Sequence, residues 1–205
     1  KLTGVDLGSS VLSAETNLKN INFQNVQVVK DDLTTHKSNG YDLVYCIGVL
    51  HHLKNPKLGF DSVVRNTKEG GRFHCWVYAH EGNAVVRYIV DPIRKLVSNL
   101  PWWATKYLVA TPLVIPYFIY AKLISNFDNS FVKSLPLYSY SKWISKRGFL
   151  FFRHVAFDQL VTPQTAYIKK QEIENWLNSS DRIDQSSTYI IFRNGNSWKF
   201  GGKIK

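Results

Sequence analysis

The sequence contains no methionine and only two cysteines, Cys46 and Cys75. Both cysteines lie in apolar stretches, so they are expected as reduced core thiols rather than as a disulfide or a metal site. That favours an intracellular setting. The opening residues, KLTGVDLG, already have the character of a strand ending. Together with the missing methionine, they give the expectation that the sequence starts inside a domain. There is no internal repeat and no low-complexity tract, which excludes repeat arrays and flexible linkers. The uncharged run 107–121, YLVATPLVIPYFIYA, has 15 residues and contains Pro112 and Pro116. It is short of the roughly 20 residues that span a bilayer as a helix. Its prolines are expected to kink it.

Acidic residues are scarce, 15 against 26 basic, and unevenly so. Residues 1–80 hold 9 basic and 7 acidic side chains, whereas residues 81–205 hold 17 and 8. The basic excess belongs to the second half and suits an anionic partner: nucleic acid, a membrane surface or an acidic substrate. Hydrophobic residues make up 44% and aromatics 14%, which is enough for a packed core.

The first 80 residues alternate strand and helix signals. LTGVDLGSS is a short strand ending at Asp6. Residues 9–20 follow as a helix with Ser9 or Ser10 as its cap. NVQVVKDDL (25–33) alternates as a strand and ends in two aspartates. YDLVYCIGV (41–49) is a near-continuous apolar run, expected as a parallel strand buried on both faces. Residues 55–68 start a helix at a proline, Glu69-Gly70-Gly71 makes a turn, and RFHCWVY (72–78) is a further strand. This is the pattern of an open, mainly parallel α/β sheet, in which ligands bind at the carboxyl ends of the strands. Asp6, Asp32 and the turn holding His51 and His52 fall there.

Residues 83–127 change character, becoming apolar, aromatic and dotted with basic side chains. They are expected as helices that cap the sheet or lie on a membrane, with Trp102, Trp103, Lys106 and Lys122 suited to an interface. A loop is expected over 128–139. The block YSKWISKRGFLFFRHVAFDQL (140–160) follows. A helix starting near Lys169 to Gln171 then carries Ile173, Trp176 and Leu177 on one face. Two strands joined by Asn194-Gly195 close the chain as a hairpin. The domain division is 1–82, an inserted cap 83–150, and 151–205 completing the sheet.

The chemistry is placed as follows. A carboxylate at a strand end before a helix, Asp6, can accept both hydroxyls of a ribose, although turn and helix-start aspartates look the same. Asp32 can accept an exocyclic amine while the Leu33 backbone meets the ring edge. Cys46, Ile47 and Gly48 leave their strand with free backbone groups, and Gly48 permits close approach. His51 and His52 sit at the rim and point to different sides.

The array GVDLGSS, VQVVKDDL, YDLVYCIGVLHHLKNP and TKEGGRFHCWVY resembles class I S-adenosylmethionine-dependent methyltransferases, with the bacterial small-molecule enzymes matched loosely by FDQLVTP, EIENWL and RNGNSW over 151–200. The resemblance implies a Rossmann-like sheet with S-adenosylmethionine as cofactor, held by Asp6, Leu7, Asp32, Leu33, Cys46, Ile47 and Gly48. It also implies that the family's first strand and glycine-rich loop precede residue 1, so that the fragment alone is expected to be weak or inactive. Glu69 stands where the family usually has a proline. Candidates for a general base are His51, His52, His154 and Asp158, the last two sharing a face if their stretch is helical. His51 and Tyr167 are candidates for the acceptor pocket. The expected acceptor is a small hydrophobic or lipid-like molecule, with no metal and with peripheral membrane contact through 102–124. The location is expected to be cytoplasmic, at the inner face of the membrane. The competing readings are a nucleic-acid methyltransferase, disfavoured by the apolar cap, and a non-catalytic membrane-associated scaffold.

Overall fold

A computed structural model describes residues 1–23, 25–97 and 99–205. The first strand, β1 (Leu2–Asp6), leads into helix α1 (Ser10–Asn20) and pairs in parallel with β2 (Val26–Lys30). Then come β3 (Tyr41–Ile47), a 3₁₀ turn (Leu50–His52), α2 (Pro56–Asn66) and β4 (Thr67–Tyr78). Asn55 caps α2, its side chain accepting from the Lys57 and Leu58 amides, and Pro56 takes the first helical position. Near the C-terminus, α9 (Lys170–Asn178) precedes β5 (Ile183–Arg193) and β6 (Ser197–Ile204). Asn194 and Gly195 both have positive φ, 51° and 69°, as a two-residue hairpin turn requires.

The class is α/β, as expected, but the strands form two sheets. One is β1-β2 and the other runs β3-β4-β6-β5. Within the second, β3-β4 is parallel and both pairs with β6 are antiparallel. The open α/β sheet with a C-terminal antiparallel hairpin is as expected, and it stands in two parts because β1 and β3 do not pair with each other. The expectation that residues 41–49 are buried on both faces is corrected. Cys46 and Val44 face the core, whereas Leu43, Tyr45 and Ile47, on the opposite face, are exposed. The residues 68–71 that suggested a turn form a bulge within β4, where Tyr41 pairs with Thr67 but Leu43 pairs with Arg72.

The main core lies between β3, β4 and β6 on one side and α2 and α9 on the other. Phe60 is fully buried there, its ring 5.8 Å from Phe73, 5.8 Å from Trp176 and 5.9 Å from Phe200. Glu81, just beyond β4, accepts from the Lys170 amide and from the Trp198 indole, both at 3.0 Å. One carboxylate thus ties together the end of β4, the start of α9 and β6.

A second layer is helical. A π-type turn (Val86–Val90) enters α3 (Asp91–Val97). The helix α4 (Trp102–Ala104), a π-type turn (Thr105–Ala110) and α5 (Thr111–Ile124) then run on continuously. Pro112 cannot donate to the preceding turn. One residue earlier, Thr111 donates from both its backbone amide and its hydroxyl, the latter at 2.9 Å, to the Lys106 carbonyl. Two short helices, α6 (Ser130–Lys133) and α7 (Tyr138–Ile144), occupy much of the segment expected as a loop. The Asn129 side chain supplies the cap that starts α6, accepting from the Val132 amide at 2.9 Å. The last helix of this layer, α8 (Phe149–Val161), packs on α3 and α5. The expected boundary at residue 150 is therefore displaced, since α8 belongs to the cap.

Asn83 joins the two layers, its buried amide donating to Ala79 at 2.7 Å and to Asn196 at 2.6 Å. Replacing Phe60 by alanine is expected to cost about 3–5 kcal/mol, the usual cost of deleting a buried phenyl group. A urea unfolding curve would measure it, and a loss under about 1 kcal/mol would contradict this packing.

Candidate functional site

Three strand ends meet on one side of the molecule. The backbone of Asp6 accepts from the Asp31 amide at 3.1 Å, which places the ends of β1 and β2 side by side. Leu33 then packs on the core beside Leu53, which brings the β2 end to the turn that follows β3. At that turn Gly48 has φ +78°, and a Cβ there would meet only the Trp76 ring, at 3.8 Å. Space is available, but the backbone conformation strongly favours glycine.

The two aspartates are committed through one oxygen each. Asp6 Oδ1 accepts from the Gly8 amide at 2.6 Å and from the Ser10 hydroxyl at 2.9 Å. This, rather than a Ser9 or Ser10 side-chain cap, organises the start of α1, since Ser9 makes no cap hydrogen bond. Asp32 Oδ1 accepts from the Thr34 amide at 2.7 Å and from its hydroxyl at 2.8 Å. Among the described residues, neither carboxylate's Oδ2 takes part in a hydrogen bond. Leu7 and Ile47 are exposed beside them. Cys46 is buried, and burial pushes its thiol up to about 12, which removes it as a nucleophile.

The tandem histidines separate. His52 donates from Nδ1 to the Gln164 carbonyl at 2.9 Å and serves the fold. His51 is buried, and neither ring nitrogen has a hydrogen-bond partner among the described residues. Its ring lies 4.3 Å from that of Tyr78 and 5.8 Å from that of Trp76. Burial, with His52 adding to it, pushes its pKa down to about 3, so the imidazole is neutral. The Trp76 indole N–H is likewise buried without a partner.

Trp76 and Tyr78 also form one wall of a cavity of about 420 Å³ between the sheet and the helical layer. Ile93, Tyr117, Tyr140 and Phe152 contribute apolar and aromatic surface opposite. Part of its polar lining comes from α8, where His154 and Asp158, one turn apart, both reach it together with Gln159, and part from Asn83 and the β5–β6 hairpin. A buried arginine braces that end. Arg94 donates to the Gln159 carbonyl at 2.7 Å, pairs with Asp91 at 2.9 Å and reaches the Tyr167 hydroxyl at 3.4 Å. Burial pushes Tyr78, Tyr117 and Tyr167 up to about 12, so their phenols remain protonated donors.

Residues 1–73 match the family described as "Methyltransferase domain". An uncharacterized protein of Synechococcus sp. is 38% identical over 56 residues, 27% of this chain and 13% of that protein. Among solved structures, PKMT2 from Rickettsia typhi in complex with AdoHcy aligns with a TM-score of 0.59 at 13% identity, over 98% of this chain and 43% of that one. Magnesium protoporphyrin IX methyltransferase from Synechocystis with bound SAH gives 0.52 at 11% identity, over 99% of this chain and 64% of that one. The chain thus spans less than two thirds of each of these relatives. Residues 1–73 are similar to a methyltransferase domain, and the chain shares the fold of these two structures over nearly its whole length.

Asp6, Asp32, Leu33 and Gly48 lie along one line of strand ends. His51 reaches the wall shared with the cavity, and Tyr167 stands behind that wall, its ring 6.3 Å from that of Tyr78. His52 does not join them. Trp76, Tyr78, Asp91, Arg94 and Gln159 were not singled out by the sequence. The available signals were the Trp-Val-Tyr alternation that ends β4, and the Asp91–Arg94 spacing of one helical turn.

A proton binds the unfolded chain at His51 near pH 6.5 but the native chain only near pH 3, so stability falls as pH drops through that window. Between about pH 7 and pH 5, wild type is expected to lose about 1 kcal/mol per pH unit more than His51→Gln. Parallel urea midpoints for the two proteins would mean that His51 is charged in the fold.

Proposed function

We propose that this chain transfers a methyl group from S-adenosylmethionine to a small apolar acceptor seated in the cavity under the helical cap. The observation that carries the reading is the position of Trp76. It pairs in register with Ile47, accepts from the Gly48 amide through its carbonyl at 3.2 Å, and lines the cavity with its ring. One residue thus separates the strand ends of the methyltransferase domain from an apolar chamber.

The donor set fits the cofactor. Asp6 Oδ2 and Asp32 Oδ2 suit ribose hydroxyls and an adenine amine, the exposed Leu7 and Ile47 offer apolar walls, and Gly48 leaves room for an amino-acid end. When bound, S-adenosylmethionine supplies an electrophilic methyl on a sulfonium. The residues of this chain position and shield. Trp76 and Tyr78 hold the acceptor against the strand ends, and the aromatic walls keep water out. The Trp76 N–H can donate to an acceptor oxygen, and His154 or Asp158 can take a proton from it. Neutral His51 holds the wall dry and unchanged across the physiological range.

S-adenosylhomocysteine titrated by calorimetry is expected to bind, and Asp6→Ala to weaken it by roughly 10- to 100-fold, the worth of a hydrogen bond to a charged group. Asp6→Asn, which keeps the oxygen serving Gly8 and Ser10, separates a loss of fold from a loss of binding. Absence of binding by a folded protein that holds these residues together with the family's glycine-rich loop would sink the cofactor assignment. Val86→Trp, filling the cavity, is expected to leave that affinity intact while lowering label transfer from S-adenosylmethionine into organic-soluble acceptors by about tenfold or more. Label entering RNA instead would favour the nucleic-acid reading.

A further inference from the structure

The continuous helical run Trp102–Ile124 is 23 residues long, and only 22% of its most apolar window is buried. Its inner side packs Val114 and Ala121 against α7 and α8. Its outer side carries Leu108, Ile115, Ile119 and Leu123, at spacings of seven, four and four residues. These four are 48–66% exposed. They form one stripe along the helix, about 22 Å long at 1.5 Å per residue. Trp102 and Trp103 are exposed at its start.

The charge around this stripe is of one sign. Residues 92–157 contain nine basic side chains and a single acidic one, Asp128. Several of the cations lie over aromatic rings at the border of the stripe. Lys106 sits 5.8 Å from the Trp102 ring and 5.6 Å from Tyr107, Arg153 5.3 Å from Tyr107, and Lys122 5.4 Å from Phe118. Aromatic rings and long cations flanking an apolar stripe suit the boundary between lipid headgroups and acyl chains.

We infer that the outer face of this helix docks in the plane of an anionic lipid bilayer. A second copy of the chain fits poorly, because the cations bordering the stripe, Lys106, Lys122 and Arg153, would face the same set. A spanning helix also fits poorly, because its inner face is already used by α7 and α8. The docked face adjoins the cavity. Leu113, on this helix, and Ile89 both line the cavity and are exposed. Docking stands apart from methyl transfer and is read without cofactor.

The test is flotation of the 205-residue chain with phosphatidylcholine vesicles, with and without phosphatidylglycerol. Flotation is expected with the anionic vesicles, weakened at least about tenfold by high salt. Ile115→Asn combined with Ile119→Asn is expected to weaken it by about tenfold or more with an unchanged melting curve. In the wild type, brominated lipid is expected to quench tryptophan fluorescence, and Trp102→Phe with Trp103→Phe to abolish that quenching, which keeps the test independent of the double-asparagine variant. The inference is overturned by any of four results: no flotation with either vesicle, equal flotation with neutral and anionic vesicles, resistance to carbonate extraction as for a spanning helix, or a lipid-independent dimer that the asparagine variant dissolves.

Discussion

The two-residue alternation of β4 is the constraint on which the rest depends. Phe73, Cys75 and Val77 point to one side and are fully or almost fully buried against α2 and α9. His74, Trp76 and Tyr78 point to the other. Shifting the strand by one residue would put indole and phenol groups into the core and leave Phe73 facing the cavity. Pairing on both edges, with β3 and with β6, holds that register in place. The core and the site are thus the two faces of one strand.

The helical layer converts the second face into a chamber. Its attachment is largely polar: Asn83 bridges to the hairpin turn, and Arg94 links α3 to α8 and toward Tyr167. Buried groups of this kind hold a geometry because leaving any of them unpaired costs desolvation energy. Beside the chamber, the His51 imidazole and the Trp76 N–H have no hydrogen-bond partner among the described residues. Their position between the strand ends and the cavity is where an unpaired donor or acceptor has a use.

The same layer carries an outer surface that the fold leaves apolar. Helix–helix packing on α7 and α8 consumes only one side of the Trp102–Ile124 run. The remaining stripe is bordered by cations rather than covered by protein. An apolar chamber and an apolar, basic surface on the same helical layer relate the kind of acceptor to the place where it would be met.

The sequence by itself determined the α/β alternation, the strand ends at Asp6, Asp32 and Gly48, the Asn194-Gly195 hairpin and the apolar face of α9. These rest on local rules: period-two and helical spacing, turn chemistry, and the φ that only glycine adopts easily. It also placed His154 and Asp158 one helical turn apart. Only the tertiary structure decided that β1-β2 stands as a separate sheet and that β3 is covered on one face. It alone assigned α8 to the cap, tied His52 to a distant carbonyl and left His51 unpartnered. It alone set Trp76 between the strand ends and the cavity. Each of these turns on which segments far apart in the chain come to lie together, and no periodicity along a single segment encodes that.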